Sequence, residues 1–426
     1  MFRVAFRNSA SPATSPTNAW AERRKRQMRT TRLIAALPVV ALVAVLRGNA
    51  PAQAEARPSP DAIEMAQPAA VEGRWSVSDA KDLLKAIEAS AAEGLDPADY
   101  SVDALRSAIA TGQKGDALDQ LANGAAIRLA HDYADGRIDD KAAFDWHIAP
   151  QMDLNALTIG LNEALEKGKV DKWLKELLPD NHQYRALKAA YAETDPADSA
   201  TRAQLAANME RWRWMPRDLG DRYIYVNVPT YQLQVMEDGR EAATYNVVVG
   251  APKTPTPQLL LHASSVVANP SWTVPQSIID KGEIGRGVAA YRRPDGSIGY
   301  RQPPGPRNAL GQIKIDMPNP YAIYLHDTPT KSAFERDKRA LSHGCIRVQN
   351  ISELASSLEG GTGQLDEALA QPKTKVLQLQ KSMPVYIVYF TAQADASGTI
   401  RYLDDPYGRD TKLSARLNPH MQMASN

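Results

Sequence analysis

The 426-residue sequence holds a single cysteine, Cys345. One thiol cannot close an internal disulfide, and it cannot supply the paired Cys ligands of a structural zinc site. No internal repeat runs through the chain. Neither sign of charge prevails, since 50 Lys+Arg face 49 Asp+Glu. That balance hides an asymmetry: residues 1–54 carry nine basic residues and one acidic one, leaving 41 basic and 48 acidic in the remainder. A polyanion binder leans the other way, so no nucleic acid is expected as a partner. Long apolar runs are also missing, apart from Leu33 to Leu46, which is broken only by Pro38.

That one run reads as an export signal. Arg23-Arg24-Lys25-Arg26 and Arg29 to Arg32 precede it, and Ala52-Gln53-Ala54 fits a small-x-small cleavage site. It is short for a bilayer span, which favours cleavage over anchoring. The expectation is a signal over 1–54 and an exported, soluble mature protein, with Sec and twin-arginine export both open. A leftover thiol in an oxidising compartment is either buried and inert or kept for its reactivity.

What is present in quantity is proline, 29 residues, implying many stiff turns. Residues 55–74 read as an Ala/Pro/Glu-rich linker. From 75 to 195 the apolar spacing is helical: Leu83, Leu84 and Ile87 share a face, and Leu154, Leu157, Leu161 and Leu165 form another stripe. Gly94 and Asp96-Pro97 mark a stop and a restart. His131, His147 and His182 lack ligand spacing and read as surface or core residues. Residues 196–222 read as a connecting helix ending in Arg211-Trp212-Arg213-Trp214-Met215-Pro216.

Beyond it the period becomes two. Strands are expected at Tyr223–Val228, Tyr231–Met236, Thr244–Val249, Leu259–Ala268, Tyr321–Leu325, Val385–Thr391 and Thr399–Leu403, with a hairpin turn at Asp238-Gly239. Short helices are expected at Ile351–Leu358 and Leu365–Ala370. The fold class is α+β: an all-helical domain, then a mostly β domain over 223–410, then a frayed tail over 411–426.

The chemistry converges on Ala340-Leu-Ser342-His343-Gly344-Cys345-Ile-Arg347-Val348, with a second histidine upstream in Tyr324-Leu-His326-Asp327-Thr-Pro329. An isolated thiol with a pKa near ~8.5 is mostly protonated at neutral pH, and a nearby imidazole can take its proton and form an ion pair. Gly344 lets the backbone turn tightly, and the N–H groups of Gly344 and Cys345 could face a carbonyl oxygen that becomes negative. A catalytic zinc on Cys345 and two histidines is the alternative, as is an inert packed cysteine.

His326, a gap of fifteen residues, then Ser342-His343-Gly344-Cys345 resembles the L,D-transpeptidase motif. Asn269-Pro-Ser-Trp272-Thr-Val-Pro275, Arg301-Gln-Pro-Pro-Gly-Pro306, Asn308-Ala-Leu-Gly311, Glu210 to Pro216 and Gly94-Leu-Asp-Pro97 extend it toward the large Gram-negative branch. The resemblance implies a periplasmic peptidoglycan cross-linking enzyme acting on donor and acceptor stem peptides, with no cofactor and no metal, and acylated by carbapenems. By matching positions it implies Cys345 as nucleophile, His326 as base, and the backbone of His343, Gly344 and Cys345 as oxyanion hole. It further implies Asp327 as the residue whose carbonyl orients the base, and Tyr324, Ser342, Arg347 and Trp272 as substrate contacts. Two departures stand out: no room for a peptidoglycan-binding module, and a short cap over Ile278 to Tyr300. The product is a 3→3 cross-link, with 1→3 open; an L,D-carboxypeptidase, a cross-link hydrolase and a non-catalytic wall-binding scaffold are the alternatives.

Overall fold

The computed structural model describes residues 70–417 except 151, 283 and 286. The signal expected over 1–54, most of the linker and residues 418–426 lie outside the described residues. The linker's last residues are not free: the Gly73 N–H donates to Asn162 Oδ1, and Arg74 pairs with Asp119 at 2.7 Å.

The helical half comprises α1 (Val77–Ala89), α2 (Val102–Ala110), α3 (Asp116–Asp135), α4 (Leu154–Glu166), α5 (Val170–Leu177), α6 (His182–Glu193) and α7 (Ser199–Trp214). Local chemistry sets the starts: Ser76 and Asp79 form a capping box on α1, and Asp153, Asn181 and Asp198 accept N–H groups at the heads of α4, α6 and α7. Gly94 ends the first unit in the left-handed region, at φ 72°. Leu83, Ile87, Leu105, Leu118, Leu129, Leu161 and Leu174 close one core between α1 and α5.

The β half begins with β1 (Arg222–Asn227), β2 (Gln232–Glu237), β3 (Arg240–Gly250) and β4 (Leu259–Ala268). A small cap follows: β5 (Trp272–Thr273), α8 (Gln276–Asp280), β6 (Ala289–Arg292) and β7 (Ile298–Gln302). Next come β8 (Ile313–Asp316), β9 (Leu325–His326), β10 (Ala340–Ser342), β11 (Ile346–Val348), α9 (Ile351–Glu359), α10 (Gln364–Leu369) and β12 (Lys375–Val388). Last are β13 (Ala392–Ala394), β14 (Ile400–Tyr402) and α11 (Arg409–Leu417). The main sheet runs β10-β3-β11-β9-β8-β4-β12-β1-β2, and a β2–β3 pairing closes it on itself. Closure leaves few bare edges and encloses a core of Val226, Leu233, Val247, Leu261, Ile315, Leu325, Ile346 and Val385.

Two expectations are corrected here. Tyr321–Leu325 is not a strand: Asn319 Oδ1 accepts the N–H groups of Tyr321 and Ile323, and Ala322 sits at φ 54°, so 319–323 is a wound loop and β9 starts at Leu325. The expected tail over 411–426 begins as α11, whose Leu413 and Leu417, one helical turn apart, are buried.

A third core joins the halves. Tyr223, Tyr225, Tyr386 and Val388 on the outer face of β1 and β12 pack with Trp212, Trp214, Phe144, Trp146 and Leu413. Trp212 stacks on Phe390 at 4.7 Å, and Trp214 meets Trp146 edge-on at 5.3 Å. Inside this junction Glu210 and Arg213 form a fully buried ion pair at 2.8 Å. Arg213 also donates to Glu93 O and Tyr184 Oη, and Glu210 accepts from Ile138 N and Trp214 Nε1. A satisfied buried pair is costly to break from one side, because the survivor is left charged and dry. Glu210→Ala is expected to lower the unfolding free energy by about 3–5 kcal/mol in urea titrations. A loss below about 1 kcal/mol, the range of an exposed pair, would contradict this account of the junction.

Candidate functional site

Strand register builds the site. In parallel pairing β11 sets Ile346 against Leu325 and Arg347 against His326, while β8 sets Lys314 against His326. Directly paired residues point to one side of a sheet, so Lys314, His326 and Arg347 share a face, and Leu325, Ile346 and Ile315 turn into the core. One step back along the strands come Tyr324 and Cys345, and the Tyr324 and His326 rings lie 5.6 Å apart. The Cys345 Sγ, half-buried, contacts Ala322 O at 3.4 Å.

His326 is buried, and its Nδ1 bonds the Asp327 carbonyl at 2.5 Å. That bond fixes the Nδ1–H tautomer and leaves Nε2 as the basic nitrogen. The Asp327 carboxylate works elsewhere, accepting the Gln312 N–H at 3.0 Å and pairing with Lys331. Trp272, from the cap, comes close enough to the Tyr324 hydroxyl to favour its ionised form, which brings the cap sheet to the site.

The nucleophile turn depends on Gly344, whose φ of 116° is closed to other residues. Space is not the reason, since a Cβ there would meet Ile323 only at 3.5 Å. Ser342 corrects an expectation. It is buried; its hydroxyl donates to Cys345 O at 2.6 Å and accepts the Gly344 N–H at 3.1 Å. Ser342 therefore locks the turn rather than facing substrate, and the Gly344 N–H is already engaged. His343 is exposed. Among the described residues no three His, Cys, Asp or Glu side chains gather as a metal site.

Electrostatics correct a second expectation, that of a resting ion pair. Burial above all, then the Arg347 and Lys314 cations, push the His326 imidazole down to about 3. Burial likewise pushes the Cys345 thiol up, partly offset by its hydrogen bonds with Tyr324 and by Lys314 and Arg347. Both shifts favour a neutral thiol beside a neutral imidazole. Arg347 carries a buried Nε with no hydrogen-bond partner among the described residues, and burial lowers its own pKa. Lys314 lies 4.6 Å over the Tyr324 ring and 2.7 Å from Asp316. Sequence reading missed Lys314; its one signal is a charge between two buried isoleucines in Ile313-Lys314-Ile315.

The helical half, read as chemically silent, also reaches this region. The His147 N–H donates to Gln258 O at 2.9 Å, and its ring lies tilted against exposed Tyr321 at 4.8 Å, one residue from Ala322.

Residues 221–387 match the YkuD family, described as L,D-transpeptidase catalytic domain, and residues 68–190 match a family described as Scaffold domain. A curated protein of Haemophilus influenzae, named "Putative L,D-transpeptidase", is 32% identical over 289 residues, 60% of this chain and 58% of its own length. The chain thus spans less than two thirds of that relative. Among solved structures, the catalytic domain of an E. faecium L,D-transpeptidase acylated by ertapenem is 18% identical, covering 40% of this chain and 98% of its own at a TM-score of 0.23. An L,D-transpeptidase from Mycobacterium smegmatis is 16% identical over 39% of this chain and 58% of its own, at 0.24.

A buried neutral imidazole has a signature in pH. The unfolded chain binds a proton near 6.5 that the folded chain refuses until about 3, so stability is lost as pH falls through that window. Nitrogen-15 NMR of the His326 ring is expected to show it unprotonated at pH 5, and Arg347→Gln is expected to move its titration upward. A wild-type midpoint near 6.5 would contradict this.

Proposed function

We propose that this chain, like the L,D-transpeptidases it is similar to, cross-links peptidoglycan stem peptides through an acyl-enzyme on Cys345. The observation that carries this reading is the parallel pairing of β9 with β11, which sets an oriented imidazole and a lone thiol on one face. In this reading the Cys345 sulfur attacks the carbonyl of the L-centre of diaminopimelate in a tetrapeptide stem. Its proton passes to His326 Nε2 as the C–S bond forms, because the resting pair is neutral.

The oxyanion then draws on the Cys345 N–H, the Gly344 N–H being held by Ser342 in the resting turn. When the C–N bond to D-Ala breaks, His326 returns the proton to the leaving amine, and a thioester remains. The side-chain amine of a second stem attacks the thioester, loses its proton to His326 and restores the thiol. The product is a 3→3 cross-link. Arg347, without an ion-pair partner among the described residues, is suited to a substrate carboxylate. Such a carboxylate offsets the cation that holds the imidazole acidic, so donor binding itself makes His326 a better base. The same reading makes the protein periplasmic.

Incubation with disaccharide-tetrapeptide and mass spectrometry of the products tests the proposal. The expected product is a dimer lacking one D-Ala, with fragmentation that places the bridge between two diaminopimelate residues. A shortened monomer alone would indicate hydrolysis, and unchanged substrate would remove the enzymatic reading. Cys345→Ala is expected to lose all turnover with the fold intact. His326→Ala is expected to slow turnover by roughly 10²–10⁴-fold, the usual share of a general base.

A further inference from the structure

The nucleophile turn is held from outside by the segment between β3 and β4. Ala251 N and Thr254 Oγ1 both donate to Ser342 O, at 2.8 and 3.0 Å. Thr256 goes further. It is fully buried, and its hydroxyl donates to Gly344 O at 2.7 Å while accepting the Gly250 N–H at 2.8 Å. The carbonyl it holds belongs to the peptide unit whose nitrogen is the Cys345 N–H. Fixing that oxygen fixes the plane of the Gly344–Cys345 peptide, and with it the donor and the Cα from which the thiol projects. Gly344, at φ 116°, has no side chain of its own to do so.

Thr256 is itself positioned by a tyrosine. Tyr407 Oη donates to Gly250 O at 2.6 Å and accepts the Thr256 N–H at 3.2 Å. The Arg409 guanidinium lies 5.0 Å from the Tyr407 ring centre and 4.9 Å from that of Tyr389. Arg409 is buried and pairs at 2.5 Å with Asp145, a residue of the helical half. A second tie runs alongside. Gln258, two residues after Thr256 and buried, donates its backbone N–H to Asp145 O, accepts the His147 N–H, and donates its side-chain amide to Phe144 O, each at 2.9 Å.

We propose that Thr256 is a positioning residue for Cys345, and that the helical half sets it through Asp145, Arg409 and Tyr407. This rests on the reading of Cys345 as the nucleophile. It gives the helical half a part in the reaction without a group that touches substrate. The Asp145–Gln258 seam and the Arg409 bridge hold the two ends of the 250–258 segment, and Thr256 passes that constraint to the turn. A hydroxyl is required at 256 because one atom must accept from Gly250 and donate to Gly344.

The test uses the full chain and its single thiol. Iodoacetamide alkylation at pH 7, followed by intact mass, is compared among wild type, Thr256→Val, Thr256→Ser, His326→Ala, Asp145→Ala and the Thr256→Val/His326→Ala double variant. Thr256→Val is expected to lower cross-linking kcat by about 10²-fold at unchanged KM, the scale of a misplaced reacting group. Its alkylation is expected to fall to the His326→Ala level, with the double variant no slower, since both remove one thiol–imidazole geometry. Thr256→Ser restores most of both rates, and Asp145→Ala shifts them in the same direction by a smaller factor. Thr256→Ala gives the same readings should the valine variant not fold.

Wild-type alkylation by Thr256→Val, or losses that multiply in the double variant, would overturn the proposal. An unaffected Asp145→Ala would overturn the link to the helical half. Wild-type protein whose alkylation depends on His326 and Thr256 but which never joins stems would defeat the transpeptidase reading and leave this one standing.

Discussion

Two residues of β9 lying parallel to three of β11 are the constraint on which the site depends. The pairing is short, and nothing in the two segments alone would hold it. It persists because Leu325 and Ile346 turn into the closed barrel, where both are fully buried. A slip of one residue would send His326 inward and a leucine outward, exchanging a satisfied core for a buried unpaired imidazole. The hydrophobic core thus specifies the register, and the register specifies which polar groups meet on the other face.

On that face the groups are tuned toward neutrality. Burial disfavours charge on His326 and on Cys345 alike; the Arg347 and Lys314 cations add to the effect on the imidazole and partly offset it on the thiol. A stored thiolate would be a ready target for oxidation. A neutral thiol that loses its proton only on attack avoids that exposure. Arg347 and Lys314 are the groups through which a bound carboxylate could change the balance, since each acts on both members of the pair.

Much of the fold was legible because it rests on periodicity. The stripe Leu157-Leu161-Leu165 and the change to period two near residue 222 both report burial directly. Where local signals conflict with tertiary ones, the reading failed. Tyr321-Ala-Ile-Tyr-Leu325 has strand composition, yet the Asn319 side chain winds it into a loop. Residues 411–417 look like a polar end, but two leucines one turn apart dock against the third core. At the candidate site the lone cysteine and the spaced histidines stood out by chemistry. Lys314, Thr256, Tyr407 and Asp145 did not, because only register and long-range packing bring them near. Ser342 misled for a related reason: a hydroxyl beside a nucleophile looks like a substrate contact, and only coordinates reveal that its bonds close the turn.

The helical half and the barrel share one buried junction, with Trp212, Trp214 and the Glu210–Arg213 pair at its centre. The β3–β4 segment is tied to the same helical half through Asp145–Arg409 and Gln258, and the nucleophile turn is tied to that segment through Thr256. Acylation of the thiol with the help of the imidazole on the paired strand is tested most directly by trapping. Protein mixed with a tetrapeptide donor whose diaminopimelate side-chain amine is blocked should gain the mass of the donor less D-Ala, on the proteolytic fragment that contains Cys345. The adduct should be absent from His326→Ala over the same interval. An adduct on another residue, or one that forms equally fast without the imidazole, would contradict the account.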